Sequence, residues 1–166
     1  MDTKQVRQER GKVVFQFAAI DCFTRLRVVA LFSRLASEEG AAFLRQVVEG
    51  FPFPIAAIQS DGGSEFLGAF EQAAKDLQLT HYFNRPYYPQ GNGMVERSLR
   101  TDEEEFYQVE DLPTDLDGLK AALLAWNQVY EQVRPHQSLG YKTPEKFYQE
   151  WLQAHSTRKE VLSDMP

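Results

Sequence analysis

The apolar residues in the first third of the chain fall in short runs and predict three consecutive strands. Residues 12–21 (KVVFQFAAID) are β-branched and aromatic and are apolar on both faces, as is typical of a central strand. After a turn at CFTRL, residues 27–32 (RVVALF) form the returning strand. Residues 2–7 (DTKQVR) favour a short first strand, with ERGK as its hairpin turn.

Beyond residue 36 the apolar residues take helical spacing. Ala42, Phe43, Val47 and Val48 form one stripe, which predicts a helix with Ser37 as its N-cap. The prolines of FPFP end this helix. The later elements are predicted, in order, as a strand at 55–59, a helix at 65–77, a strand at 79–83, and helices at 92–109, 119–133 and 144–152. The order βββαβαβααα indicates an α/β domain with a mixed sheet.

Length and composition agree with one globular domain spanning 1–166. The chain has 166 residues, of which 43% are hydrophobic and 13% aromatic. The single Cys22 excludes an internal disulfide and a cysteine-based zinc cluster. No apolar run approaches the roughly 20 residues of a membrane helix. We therefore expect a cytoplasmic protein with no membrane partner.

The net charge of −6 argues at first against a nucleic-acid partner, but the charges are unevenly distributed. Residues 1–36 hold seven Lys or Arg against three acids, whereas residues 101–117 hold eight acids and no base. A DNA-facing surface outside the acidic segment is compatible with this pattern. Tight DNA binding would need a basic partner domain or bridging metal ions.

Three acids stand at positions where a site could form. Asp61 ends the strand at 55–59 and precedes two glycines, which turn the backbone sharply and leave the carboxylate exposed; the alternative is an Asp that merely opens a turn. Asp2 lies in the first strand, where the alternative is a frayed chain end. Glu96 opens a helix after a Pro/Gly-rich loop, where an acid also suits the helix dipole. Arg97 and Arg100 near the same helix end favour an approaching anion such as a phosphate.

If these acids converge at one sheet edge, their chemistry favours a hard divalent cation. Clustered carboxylate oxygens suit Mg²⁺ or Mn²⁺, and nothing in the pattern suits zinc. The three acids are remote from one another in sequence, so spacing alone gives a weak signal. The motifs around Asp61 and Glu96 make it stronger.

Two motifs carry a family resemblance: SDGGSEF around Asp61 and PYYPQGNGMVERSLR around Glu96, with 34 residues between the two acids. Together they closely resemble the catalytic core of DDE transposases and retroviral-type integrases, and above all the bacterial insertion-sequence transposases with an integrase core. The segments AAIDCFTRLRVVALFSR and WNQVYEQVRPHQSLGYKTPEKFY fit the same family. The resemblance covers the chain from Asp2 to about Tyr148.

The resemblance implies an RNase H-like fold with a central mixed five-stranded sheet flanked by helices. It also implies that Asp2, Asp61 and Glu96 are the catalytic, metal-binding triad for two Mg²⁺ or Mn²⁺ ions. Asp21 is the rival for the first acid. We favour Asp2, because the family places its first acid one strand before an AIDCFTR-like segment, which leaves Asp21 a structural role at a strand end.

The implied activity is metal-dependent processing of DNA 3′ ends and strand transfer in transposition or integration. The alternative is a catalytically inactive DNA- or protein-binding module derived from such a core. The partners implied are the DNA of the element ends and of the target, and a second copy or more of the same chain. The DNA-contacting positions implied are Ser64, Tyr87, Gln90, Asn92, Arg97 and Arg100.

Two departures from the family pattern are visible. Gly62 stands where many relatives carry Asn, so local contacts to substrate can differ there. The N-terminal helix-turn-helix region of the relatives is absent, which implies a core fragment or a minimal member. Several other features predict ordinary structural roles: packing or capping for His81 and His136, a solvated helix face for Glu103, Glu104 and Glu105, and core or interface packing for Trp126 and Trp151.

Overall fold

Five β-strands and five α-helices form within residues 1–8, 11–84, 92–109 and 111–163, the ranges that this computed structural model describes, with side chains up to residue 155. The strands are β1 (Asp2–Arg7), β2 (Val13–Ile20), β3 (Arg27–Phe32), β4 (Ala57–Ser60) and β5 (Thr80–Phe83). The helices are α1 (Ser37–Gly50), α2 (Ala69–Asp76), α3 (Gly93–Asp102), α4 (Leu116–Gln132) and α5 (Pro144–Ser163). Their order agrees with the predicted order of elements.

The strands are mixed in direction, as predicted. β1, β2 and β3 form an antiparallel sheet with β2 in the middle, and β4 and β5 pair in parallel. The hydrogen-bond ladders thus divide the five strands into sheets of three and two, and not into the single five-stranded sheet that was predicted. The Met1 amino group donates to the Gln59 carbonyl oxygen at 2.5 Å and so ties the start of β1 to β4.

Helices cover both faces of the three-stranded sheet. Successive side chains of β2 point to opposite sides of the sheet, so this strand contributes to a core on each face. Phe17 and Ala19 join a core with α1 and α2, and Val14 and Ala18 join a second core with α3 and α4. The first core is rich in aromatic rings from Phe43, Phe66 and Phe70, and the second contains Val95, Leu99, Leu119 and Leu123. This double burial explains why the run at 12–21 is apolar on both faces.

Several predicted helix boundaries were wrong, including that of α4, which begins at Leu116 and not at 119. The N-cap of α1 is Ala36 and not Ser37, which is the first helical residue. The helix predicted at 65–77 is divided: a 3₁₀ turn covers Ser64–Phe66, and α2 starts only at Ala69 because Gly68 takes a left-handed φ of 51°. The last helix extends beyond the predicted residue 152 to Ser163.

The helix predicted at 92–109 is also not uniform. It consists of α3 followed by a π-helical segment, Glu103–Tyr107. An apolar stripe of period 3.6 cannot reveal the wider turn of a π-helix, since the stripe is displaced by only one residue. The change of pitch begins directly after Asp102, a buried acid.

Candidate active site

Asp2 is the first residue of β1 and pairs across the ladder with Ala18 of β2. Its Oδ1 accepts a hydrogen bond from the Thr3 backbone N–H at 2.8 Å, which favours the charged carboxylate. Burial, together with the smaller effects of the negative charges of Asp61 and Glu96, nevertheless raises the pKa of Asp2 to about 6. The three predicted acids are therefore near enough to interact electrostatically.

Asp61 directly follows β4, at the carboxyl end of the parallel pair. Its Oδ1 accepts the Gly63 backbone N–H at 3.2 Å, so the residue does open a turn. Ser60, just before it, is fully buried, and its hydroxyl lies 2.8 Å from Nε2 of His81 on β5. The turn is thus fixed to both strands, and its carboxylate emerges at the strand end where open α/β sheets place their sites.

Glu96 lies in the first turn of α3, and its side chain is exposed. Its backbone N–H donates to the Asn92 carbonyl at 3.0 Å, which closes the first helical turn. Glu96 and Asp2 line the same open cavity of about 410 Å³, together with Lys4 and Arg100. Two of the three acids therefore face one space, and Asp61 is coupled to them by its effect on the Asp2 carboxyl.

The donor set suits a hard divalent cation. Carboxylate oxygens are the ligands that Mg²⁺ and Mn²⁺ prefer. Within the described ranges, no three His, Cys, Asp or Glu side chains are gathered closely enough to hold a metal ion. Asp2 and Glu96 line one cavity, and Asp61 does not line it.

Asp21, the rival for the first acid, is engaged in its own turn. One oxygen, Oδ2, accepts the Thr24 backbone N–H and the Thr24 hydroxyl, each at 2.7 Å, and the Phe23 N–H at 3.2 Å. These three donors account for an acid at the end of β2 without a catalytic role. The structure supports the structural interpretation of Asp21.

The residues predicted to contact DNA are placed in different environments. Ser64, Arg97 and Arg100 are exposed, whereas Asn92 is buried, with 8% of its surface accessible, at the N-cap of α3. Tyr87 and Gln90 lie outside the described residues. The exposed arginines follow Glu96 on the outer side of α3, where a phosphate can reach them.

The acidic run after α3 is partly paired. Glu103 forms an ion pair with Lys4 at 2.5 Å and Glu105 forms one with Arg134 at 2.6 Å, while Glu104 is exposed. Hydrogen bonds from these bases hold the pKa of Glu103 and of Glu105 below the usual range. The run is a charged surface with two ion pairs and not a metal cluster.

Sequence reasoning missed Glu65, which connects the strand of Asp2 with the turn of Asp61. Its Oε1 accepts the Thr3 hydroxyl at 2.6 Å, and the side chain is buried, with 5% exposed. An added Cβ at Gly63 would lie 2.6 Å from this carboxylate, so the turn packs directly against it. An acid beside the core residue Phe66 was the one signal in the sequence.

It also missed the ion pair between Arg27 and Asp102. A signal was present, because Arg27 opens an otherwise apolar strand and Asp102 continues the stripe of Val95 and Leu99 on α3.

Two family models, both described as "Integrase core domain", match the chain, one over residues 1–89 and the other over residues 77–144. Together they span the three acids and the motifs around them.

In the described part of the chain, no helix has the length and apolar character that crossing a membrane requires.

Curated relatives match part of the chain. An uncharacterised protein of insertion element IS136 from Agrobacterium fabrum is 29% identical over 89 residues, which is 53% of this chain and 45% of the relative. The Gag-Pro-Pol polyprotein of Simian retrovirus SRV-2 is 32% identical over 110 residues, which is 64% of this chain and 6% of the polyprotein. The chain thus spans less than half the length of these relatives.

Solved structures share the fold. The catalytic core domain of BIV integrase superposes with a TM-score of 0.65 at 22% identity, covering 95% of this chain and 96% of that one. The HTLV-2 integrase catalytic core domain, solved with magnesium in a trimeric form, gives 0.66 at 16% identity over 88% and 93%. A chain of the simian T-cell lymphotropic virus intasome gives 0.72 at 19% over 88% and 52%. These likenesses confirm the predicted RNase H-like fold.

Proposed function

Since the chain belongs to the integrase core domain family, we propose that it is the catalytic core of a DDE-type polynucleotidyl transferase acting on DNA. In this proposal, Asp2, Asp61 and Glu96 hold two Mg²⁺ or Mn²⁺ ions. The observation that carries it is electrostatic and geometric: Asp2 and Glu96 line one cavity, and the charges of Asp61 and Glu96 raise the pKa of Asp2.

Each acid contributes from a different element, which gives the site a rigid frame. β1 supplies Asp2, the end of β4 supplies Asp61, and α3 supplies Glu96. Ions held there would supply Lewis-acid chemistry, stabilising the attacking and leaving oxygens of an in-line displacement at phosphorus. The carboxylates themselves would provide negative charge and fix the positions of the ions, and no covalent bond between DNA and protein is required.

The proposed reaction has two steps. Water attacks a phosphodiester at the end of the element, a P–O bond breaks, and a free 3′-hydroxyl leaves. That hydroxyl then attacks a phosphate of the target strand, a new P–O bond forms, and the target's own 3′-oxygen leaves as a hydroxyl. The first step hydrolyses one phosphodiester and the second exchanges one phosphodiester for another, so neither step needs an oxidant or a nucleotide cofactor.

DNA binding in this proposal combines basic side chains with bound cations. Arg100 lines the cavity and Arg97 is exposed on the same helix, so both can neutralise phosphates, and Ser64 lies exposed after the turn of Asp61. With a net charge of −6, the domain gains little attraction to DNA from its overall field. We therefore expect strong dependence on a divalent cation and on a second copy of the chain or a basic partner domain.

The test compares the chain with Asp61→Asn on labelled DNA ends with Mn²⁺, using end joining and the reverse, disintegration, reaction. Replacing a carboxylate by its neutral isostere should lower the rate by more than about 100-fold, because a metal-binding charge is lost. The fold should persist, since Asp61 sits at a half-exposed strand end. Circular dichroism checks this.

The matched control is Asp117→Asn, which removes an equally charged but exposed acid from the first turn of α4. It should retain the rate of the unchanged chain. Equal rates for Asp61→Asn and the unchanged chain would refute the assignment. If the unchanged chain binds DNA but never joins or disjoins it, the chain is instead a binding module derived from a transposase core.

A further inference from the structure

Two opposite charges are fully buried in the domain and do not line the cavity of Asp2 and Glu96. The side chains of Arg27 on β3 and Asp102 on α3 are each 0% exposed, with Nη1 and Oδ1 2.8 Å apart. Asp102 also accepts the Gln16 amide at 2.7 Å and the Trp126 indole N–H at 2.6 Å. Both of its carboxylate oxygens are therefore held by donors from β2, β3 and α4.

Arg27 is held just as firmly from the side of α4. Its Nε donates to Asn127 Oδ1 at 2.8 Å, and its backbone N–H donates to Glu131 Oε1 at 2.7 Å. The guanidinium carbon lies 3.5 Å from the centre of the Tyr130 ring, within reach of a cation–π interaction. These contacts with α4 hold the Arg27 side chain in place independently of its contacts with α3.

On α3 the guanidinium contacts two successive turns. Nη1 donates to the Ser98 hydroxyl at 2.8 Å and lies 2.8 Å from Asp102 Oδ1. Ser98 and Asp102 are four residues apart and so share one face of the helix. We call Arg27, Ser98 and Asp102 the Arg27 clamp. A rotation or a one-residue slide of α3 would break both of its contacts.

Burial alone would not fix α3 this way. Val95 and Leu99 already supply apolar contacts on this helix, and apolar surfaces are non-directional. A buried ion pair adds little net stability compared with apolar residues of similar size, but it can select one arrangement over others. Within the described residues, Gln16 Oε1 and Arg27 Nη2 are buried without partners, so the network carries a cost that a stability role does not explain.

We propose that Arg27 is a positioning residue for Glu96, acting through Ser98 and Asp102. Glu96 lies two residues before Ser98 on the same helix, so the rotation that the Arg27 clamp fixes also sets where the Glu96 carboxylate points. Helix α4 then does more than bury one face of the sheet. Its residues Trp126 and Asn127 hydrogen-bond to Asp102 and Arg27 and so hold the Arg27 clamp in place. The inference rests on the proposed function, in which Glu96 helps to hold the cations.

The test measures Mn²⁺ affinity by calorimetry on the whole chain. Ser98→Ala removes one contact of the clamp and no charge, and alanine favours the helix. We expect an increase in the Mn²⁺ dissociation constant of about 10-fold, the loss typical of groups that orient a metal ligand. Arg27→Lys is the second variant, because a lysine keeps the charge but lacks the fork that reaches Ser98 and Asp102 together. It should weaken Mn²⁺ binding at least as much.

A purely structural role predicts a different pattern. Val47→Ala destabilises the core beside α1 without touching α3, and it should leave the Mn²⁺ affinity of the folded chain unchanged. In a Glu96→Ala background, Ser98→Ala should cause no further loss, because the ligand it positions is gone. An equal loss in both backgrounds, or none in either, overturns the positioning role.

Failure of the proposed function gives a separate result. If Asp61→Asn leaves Mn²⁺ binding unchanged, the three acids do not hold the cation and the proposed function fails. If Asp61→Asn weakens Mn²⁺ binding while Ser98→Ala does not, the proposed function stands and the Arg27 clamp does not position Glu96.

Discussion

Two glycines near the candidate site differ in the space that they leave for a side chain. At Gly40 in α1, a Cβ would lie 2.1 Å from the carbonyl oxygen of Glu65, a contact that only a backbone shift can relieve. At Gly62, next to Asp61, a Cβ meets nothing within 4 Å. The close approach at Gly40 holds the segment of Glu65, and with it the turn of Asp61, against α1.

Gly40→Ala should lower the free energy of unfolding by about 1–3 kcal/mol, the usual cost of overpacking. Helix propensity alone predicts the opposite sign, since alanine is favoured over glycine by about 1 kcal/mol inside a helix. Urea denaturation measures the difference. Gly62→Ala is the control and should change stability by less than about 0.5 kcal/mol; a stabilised Gly40→Ala variant would show that the approach is loose.

At this scale, the sequence could identify residues whose local context is distinctive, and it could not identify those whose partners are distant. Asp61 and Glu96 were found from a glycine turn and a helix start. Glu65 was missed because its partner Thr3 is 62 residues away, and Asp102 because its partner Gln16 is 86 residues away. A buried charge becomes interpretable only when the fold supplies its partner.

Helix ends illustrate the same limit for whole elements. The preference of serine for N-caps predicted Ser37 as the cap of α1, but the chain enters that helix one residue earlier, in extended conformation at Ala36. By contrast, Asp115 caps α4 through a hydrogen bond from the Gly118 N–H to its Oδ1 at 2.8 Å. Propensity describes an average over many contexts, and the entry angle of the chain decides the single case.

Asp115→Ala should therefore lower the free energy of unfolding by about 1 kcal/mol, the typical value of a lost N-cap. Ser37→Ala, in which the hydroxyl lost is not a cap, should change it by less than about 0.5 kcal/mol. Both changes in the free energy of unfolding are obtained from the midpoints of denaturant unfolding curves, provided that the denaturant dependence (the m value) is unchanged. Equal losses for the two variants would contradict the assignment of the caps.

For the whole molecule, the order of elements and the central position of β2 were predictable, because apolar periodicity reports burial on one face or two. The family resemblance then predicted the RNase H-like fold, which the solved integrase cores bear out. The division of the ladders into three and two strands was not predictable. It depends on how the start of the chain meets β4, since these segments are far apart in sequence and are joined by the hydrogen bond from the Met1 amino group to the Gln59 carbonyl oxygen and not by a strand ladder.

Acid sensitivity of the whole domain should include a contribution from His136, a buried ring packed on Tyr130 at 4.7 Å. Burial lowers the pKa of His136, so the unfolded chain binds a proton more readily than the folded one. Its contribution is therefore lost as pH falls through the unfolded value near 6.5 toward the folded pKa.

His136→Phe keeps an aromatic ring and removes the titration. The stability of the unchanged chain relative to this variant should decline between about pH 7.5 and 5.5, as thermal or urea unfolding at several pH values can measure. Parallel curves for the two proteins would show that His136 does not titrate differently on folding.

The side-chain alternation of β1 has one last consequence. Thr3 is anchored through Glu65 to the side of α1 and α2, while its neighbour Asp2 faces Glu96 on α3. A single peptide unit therefore links the two layers of the domain at the point where cations are proposed to bind. Loosening either layer alone would therefore misplace the Asp2 carboxylate.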